Sequence, residues 1–156
     1  MGFYNKERIL LSGCLVINNK KEILLLYRTK HKHYETPGGK VDLEECSNKI
    51  NPSKNDLAKT AERELYEELG KNIKIEKLKY FCKIKFTIPD GRKAVAYKFI
   101  TKIVSGKPIL NEPDIFSRFD YLPIENLEKY PISPDLKLIL LKLKEFSKKI
   151  KLRNKF

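Results

Sequence analysis

The chain has 156 residues, 41% of them apolar, and a formal net charge of +13. That length carries one core, and that apolar fraction excludes a chain disordered throughout. Cys14, Cys46 and Cys82 are widely spaced with no CxxC pair, and His31 and His33 have no cysteine beside them; this argues against a zinc site and makes a reduced, cytoplasmic setting the expectation.

The charge points to a polyanionic partner. Residues 136–156 hold eight Lys or Arg against one Glu, so more than half of the surplus sits there. At the other end, "LLSGC" (10–14) has too short an apolar lead for a signal-peptide core, and "MGFYNK" lacks the Ser or Thr of a myristoylation site. No segment has the length of a membrane span.

In chain order, "ILLSGCLVI" (9–17) and "EILLLYR" (22–28) read as strands joined by the turn "NNKK". "RTKHKHYETPGGK" (28–40) reads as a loop with Pro37, Gly38 and Gly39 as turn residues. A helix is predicted over 54–69, because Ser53 and Asp56 have capping-box spacing and Gly70 stands where a helix stops. "KIEKLKYFCKIKFTI" (74–88) and "AVAYKFITKIV" (94–104) are predicted strands, with Asp90-Gly91 as the hairpin signal between them. "FDYLPIENL" (119–127) reads as a strand leading into a turn. The last helix starts near Pro134 or Asp135 and carries the stripe Leu136, Ile139, Leu140, Leu143 and Phe146. That stripe is expected to pack on the sheet, although a membrane-surface helix shows the same pattern. Residues 147–156 read as a basic, frayed tail.

The helix over 54–69 has an unusual charge pattern. At ~100° per residue, Ala58, Ala61, Leu65 and Leu69 share one buried stripe, and Glu64, Glu67 and Glu68 share a neighbouring face. Like charges at i,i+3 and i,i+4 repel by a few tenths of a kcal/mol per pair. They also lie toward the C-terminal end, where the helix dipole disfavours negative charge. Only Arg63 and Lys71 flank them. A solvated acidic face is one reading. A site for a hard, oxygen-loving cation is the other, Mg²⁺ first and Mn²⁺ in its place.

The stretch "GKVDLEE…RELYEELG" resembles the Nudix box. That motif runs Gly, five residues, Glu, seven residues, Arg-Glu, an aliphatic residue, any residue, Glu-Glu, any residue, Gly and an aliphatic residue. Gly39 and Glu45 match its first spacing; Arg63, Glu64, Leu65, Glu67, Glu68 and Gly70 match its second half. Two features depart from it: seventeen residues separate Glu45 from Arg63, about ten more than the motif has, and Lys71 replaces the last aliphatic residue. "CSNKINPSKN" has loop composition and Pro52 cannot sit inside a helix, so the insertion is expected as a mobile loop before the helix.

The resemblance to the Nudix hydrolases, MutT-like members in particular, implies one α/β domain over 1–156: an α/β/α sandwich with a mixed sheet. It implies hydrolysis of a nucleoside diphosphate linked to another group, with Mg²⁺ as cofactor. It implies the Gly38 carbonyl, Glu64, Glu67 and Glu68 as metal ligands, with Glu112 or Asp114 as a further carboxylate. Glu64 or a later carboxylate would serve as general base, and Arg63 would orient the glutamates. Arg28 and Lys40 are candidate phosphate contacts, or solvated surface charges. Asp135 would read a base edge, with Ser133 where relatives carry an aromatic; a helix N-terminal charge is the plainer reading of Asp135.

The favoured substrates are (deoxy)nucleoside triphosphates, cleaved to monophosphate and pyrophosphate. The alternatives are ADP-ribose or another nucleotide sugar, 5′-triphosphate RNA, and a catalytically silent nucleic-acid-binding module. A small-molecule nucleotide is the expected partner, nucleic acid the less favoured one, and a membrane none.

Overall fold

The computed structural model describes residues 8–150. The chain runs β1 (Arg8–Val16), β2 (Glu22–Arg28), β3 (His33–Glu35), β4 (Gly38–Lys40), a 3-10 turn at Leu43–Glu45, α1 (Lys54–Leu69), β5 (Ile73–Ile75), β6 (Lys79–Thr87), β7 (Lys93–Thr101), β8 (Ile103–Gly106), β9 (Phe116–Pro123), a 3-10 segment at Ile124–Lys129, α2 (Pro134–Leu138) and α3 (Leu140–Lys148). One sheet has the order β4-β1-β7-β6, a second β3-β2-β9, and β5 pairs with β8. β1 and β7 run parallel and all other strand pairs antiparallel, so the expected mixed sheet is present.

β1 and β2 read as unbroken apolar runs because both their faces are covered. Alternation divides their side chains between two cores. Cys14, Val16, Leu24 and Leu26 pack under α1 with Leu57, Ala61, Leu65 and Leu69. Leu15, Ile17, Ile23 and Leu25 pack on the opposite side with Leu136, Ile139 and Leu143. Helices therefore cover both faces, the α/β/α arrangement. The three buried α1 leucines contribute about 5–9 kcal/mol in burial before chain entropy is counted.

α1 has the predicted bounds. Ser53 accepts from the Asp56 amide and Asp56 from the Ser53 amide, and Gly70 ends the helix at φ 86°. Within the predicted stripe, Ala61, Leu65 and Leu69 are fully buried, whereas Ala58 is half-buried and Leu57 takes its place in the core.

Four predicted elements need correction. The loop over 28–40 contains β3 and β4, too short to show a period of two. The strands over 74–88 and 94–104 each break near their outer end, so that β5 and β8 leave the main sheet and pair with each other. The last helix breaks at Ile139 (φ −105°, ψ 9°), although its stripe is buried as expected. Residues 147–150 are not a frayed tail: α3 runs to Lys148, Ser147 is buried and Ile150 packs on the core. The rest of that tail, 151–156, lies outside the described residues. No described helix is long and apolar enough to cross a membrane.

Candidate active site

β4 brings the box glycines to α1. It pairs with β1 at Ser12↔Gly39 and Gly13↔Gly38. A Cβ at Gly38 would lie 2.8 Å from the Gly13 Cα and 2.9 Å from the Ser12 carbonyl oxygen, so this crossing requires a bare backbone. A Cβ at Gly39 would collide with the Glu64 carboxylate. β1 is in turn tied to α1, because Ser12 Oγ donates to the Leu57 carbonyl at 2.6 Å.

The carboxylates converge there. Arg63 Nη1 donates to Glu64 Oε2 and to Glu67 Oε2, each at 3.0 Å. Arg63 Nε lies 3.4 Å from Glu45 Oε1, so Glu45 reaches the arginine across the insertion. Glu68 is 4% exposed, and its Oε1 accepts from the Gly38 amide at 3.1 Å. Burial, then Glu64, pushes the Glu68 carboxyl well above the ordinary carboxylate range, against the Gly38 amide. Burial, then Glu67, raises Glu64, against Arg63. Glu112 adds to the negative field on both. It is brought there by the segment after β8, which caps α1: the Ile109 amide donates to the Leu69 carbonyl at 2.9 Å, and Asn111 Nδ2 to that of Glu67 at 3.0 Å. Asp114 is exposed, and so is Lys71 just past the helix.

The inserted segment is tied down at its start. The Ser47 amide and hydroxyl donate to Asp56 Oδ1 at 2.9 and 3.0 Å, beside the Ser53 amide on Oδ2. These hydrogen bonds hold the Asp56 carboxyl well below its ordinary range. Asn48 closes a local turn by accepting from the amides of Ile50 and Asn51.

A pocket of about 410 Å³ opens beside the box, with Gly38 and Gly39 at one side and Lys98 and Asp135 at another. Arg28, Lys40 and Asp135, singled out from sequence, all line it. Arg28 is not a free cation: its Nε lies 2.8 Å from Glu35 Oε2, and its guanidinium stacks 4.9 Å from the Phe116 ring centre. His33 Nε2 shares that Glu35 oxygen at 2.9 Å. Burial opposes ionisation of Glu35, but His33 and Arg28 hold its carboxyl below the ordinary range. Lys40 is exposed at the rim.

Asp135 is more than a helix-terminal charge. Lys98 Nζ donates to Asp135 Oδ2 and to Thr36 Oγ1, each at 2.7 Å. Burial opposes ionisation of Asp135, yet Lys98 holds its carboxyl below the ordinary range. Sequence reading missed Lys98, Thr36 and Glu35. The available signal was Lys98 itself, a lysine inside the apolar run of β7 on the same face as Ala94 and Ala96.

The donor set fits a hard divalent cation. It is all oxygen, it holds more negative charge than Arg63 balances, and the buried Glu68 has one amide as its hydrogen-bond partner. Among the described residues, no three His, Cys, Asp or Glu side chains form a closed ligand cage. That accords with an ion completed by water and phosphate oxygens.

The family model for the NUDIX domain matches residues 10–143, and the chain belongs to that family. It is a Nudix hydrolase, an enzyme acting on acid anhydrides. No curated protein matches the chain in sequence. The fold is similar to the MutT NUDIX hydrolase of Burkholderia pseudomallei at TM-score 0.68 and 23% identity, covering 87% of this chain and 98% of that one. It is similar to the MutT protein of Methanosarcina mazei Go1 at TM-score 0.69 and 21% identity, covering 93% and 99%. The NUDIX domain of Shewanella oneidensis NrtR, solved with ADP ribose, is similar at TM-score 0.66 and 17% identity, covering 94% and 92%.

Proposed function

We propose that this Nudix domain is a Mg²⁺-dependent pyrophosphohydrolase of (deoxy)nucleoside triphosphates, releasing a monophosphate and pyrophosphate. One observation carries the reading: a charge-unbalanced carboxylate cluster abuts a pocket whose other side is a charge-balanced, hydrogen-bonding wall. The first suits phosphates with a cation, the second a base. Glu64, Glu67, Glu68, the Gly38 carbonyl and Glu112 would hold the ion. Bound there, Mg²⁺ supplies neutralisation of phosphate charge and activation of water.

The chain's own residues do the rest. Arg63 positions Glu64 and Glu67 through its two 3.0 Å hydrogen bonds. Glu64, with its proton affinity raised, accepts the proton of the attacking water. Lys40, at the rim, meets the phosphates. Arg28, fixed between Glu35 and Phe116, holds the wall they lie against. The setting we propose is the cytoplasm, where free thiols persist; Cys14, Cys46 and Cys82 are all unpaired.

The test is a product assay with the four dNTPs, 8-oxo-dGTP, ADP-ribose, dinucleoside polyphosphates and 5′-triphosphate RNA, each with Mg²⁺ and with Mn²⁺. Monophosphate and pyrophosphate from a triphosphate are expected. A second reading, hydrolysis of ADP-ribose, is favoured by the resemblance to the NrtR domain solved with that ligand. Turnover of ADP-ribose without turnover of any triphosphate would replace the first reading with the second.

A further inference from the structure

The buried pair at the far side of the pocket has hydrogen-bonding capacity that the protein itself leaves unused. The side chains of Lys98 and Asp135 are 5% and 14% exposed. An ammonium has three donors, and Lys98 directs two of them to Asp135 and Thr36, leaving one. Asp135 receives Lys98 on Oδ2, while Oδ1 has no hydrogen-bond partner from another residue among those described. Ser133, 4% exposed, has a buried Oγ with no partner among the described residues. It stands near enough to Asp135 to favour the ionised carboxylate, yet not at hydrogen-bonding geometry. All three line the pocket, beside the apolar Leu11, Phe86 and Ala96. Buried polar groups are rarely left unpaired, so each of these points to a ligand atom.

The three groups make an ordered edge: a donor at Lys98, an acceptor at Asp135 in the middle, and the hydroxyl of Ser133, which can do either. Guanine and hypoxanthine carry a hydrogen on N1, and uracil and thymine on N3; these nitrogens occupy the middle of the base edge. Adenine N1 and cytosine N3 are lone-pair acceptors. Turning a base over exchanges the outer positions but leaves the middle one in place. An acceptor there faces a carboxylate oxygen in either orientation.

We propose that Lys98, Asp135 and Ser133 read the base edge and select lactam bases (guanine, hypoxanthine, uracil, thymine) over the amino bases adenine and cytosine. Asp135 accepts the central N–H, Lys98 donates to the adjacent carbonyl oxygen, and Ser133 accepts from the 2-amino group when the base is guanine. This rests on the reading of the pocket as a nucleotide site, so binding and turnover are measured separately.

The experiment is calorimetric binding, with Mg²⁺, of the α,β-methylene analogues of GTP, ITP, ATP, UTP and CTP, none of which can be cleaved at the α–β bridge. ITP and ATP differ only at the 6-substituent and the N1 hydrogen. The ITP analogue is expected to bind about tenfold more tightly than the ATP analogue, or better, and UTP likewise over CTP. Ser133→Ala, which removes only an unpartnered hydroxyl, should close the gap between GTP and ITP and keep that between ITP and ATP. Equal or tighter binding of the ATP analogue overturns the inference, as does failure of every analogue to bind. Base-selective binding without turnover of any triphosphate would overturn the proposed reaction instead. Turnover of all triphosphates alike, with no base preference in binding, would overturn only the selection.

Discussion

Two charged regions face one pocket and follow opposite rules. On α1, Glu64 and Glu67 share a single arginine and Glu68 is buried with one amide. Across the pocket, one ammonium meets one carboxylate and a threonine hydroxyl at 2.7 Å each. The first region is electrostatically incomplete and gains from an incoming cation; the second is neutral as it stands. An incomplete site binds what carries charge, and a complete one can discriminate by shape and hydrogen bonding without altering charge.

The largest expected effect tests the incompleteness. Glu67→Gln and Glu68→Gln each remove a negative charge and keep a hydrogen-bonding side chain of the same size. Loss of metal-based charge stabilisation of several kcal/mol should lower kcat/KM by about a hundredfold or more. The same variants without metal should be as stable as wild type or slightly more so, since like-charge repulsion is relieved. Mg²⁺ should raise the wild-type Tm and raise theirs less. Full activity in both variants, or a wild-type Tm indifferent to Mg²⁺, would reduce the cluster to a solvated acidic face.

The balanced region should respond in the opposite currency. Lys98→Met strands a buried carboxylate, and urea denaturation should show a loss of about 3–5 kcal/mol. The double variant Lys98→Met/Asp135→Leu removes both charges and should recover most of it. A double variant no more stable than Lys98→Met would mean that the pair supports the fold through Thr36 or local packing rather than through charge balance.

These regions also differ in how much of them could be read from the sequence. The carboxylate face was legible because its members are three and four residues apart on one helix, whose start and stop are local signals at Ser53, Asp56 and Gly70. β1 and β2 were legible because burial on both faces writes unbroken apolar runs. The Lys98–Asp135 contact spans 37 residues and depends on how α2 meets β7, which no local pattern encodes. The pairing of β5 with β8, the two short strands inside 28–40 and the break at Ile139 are likewise set by tertiary contacts. Glu45 lies between these extremes: the motif marked it, and only the fold shows that a longer loop still delivers it to Arg63.

The two box glycines separate the fold from the chemistry within adjacent residues. Gly38→Ala places a methyl against the backbone of β1, 2.8 Å from the Gly13 Cα, and cannot be relieved by a side-chain rotation. A loss of about 1–3 kcal/mol in stability is expected. Gly39→Ala meets only the end of the Glu64 side chain, which can swing aside. Its stability should change little, whereas displacing Glu64 by about an ångström should lower kcat by about a hundredfold. If the stability losses were reversed between the two, the register of β4 on β1 would be wrong.

The smallest effect is a slope in pH. Burial and Glu64 raise Glu68 above the value it has in the unfolded chain, so between those two values the folded protein holds more protons than the unfolded one. Stability without metal should then fall as pH rises through that window, by at most about 1.4 kcal/mol per pH unit for one proton. Asp56 has the opposite sign: its folded value is lowered, so its contribution is present above the ordinary aspartate range and is lost as pH falls below it. Denaturation in EDTA at stepped pH should therefore show stability rising out of acid and then declining above the ordinary carboxylate range. Saturating Mg²⁺ competes with the Glu68 proton and should flatten or reverse the decline. Glu68→Gln should abolish the decline and leave the acid limb unchanged. A decline that persists in Glu68→Gln would move its origin away from the carboxylate cluster.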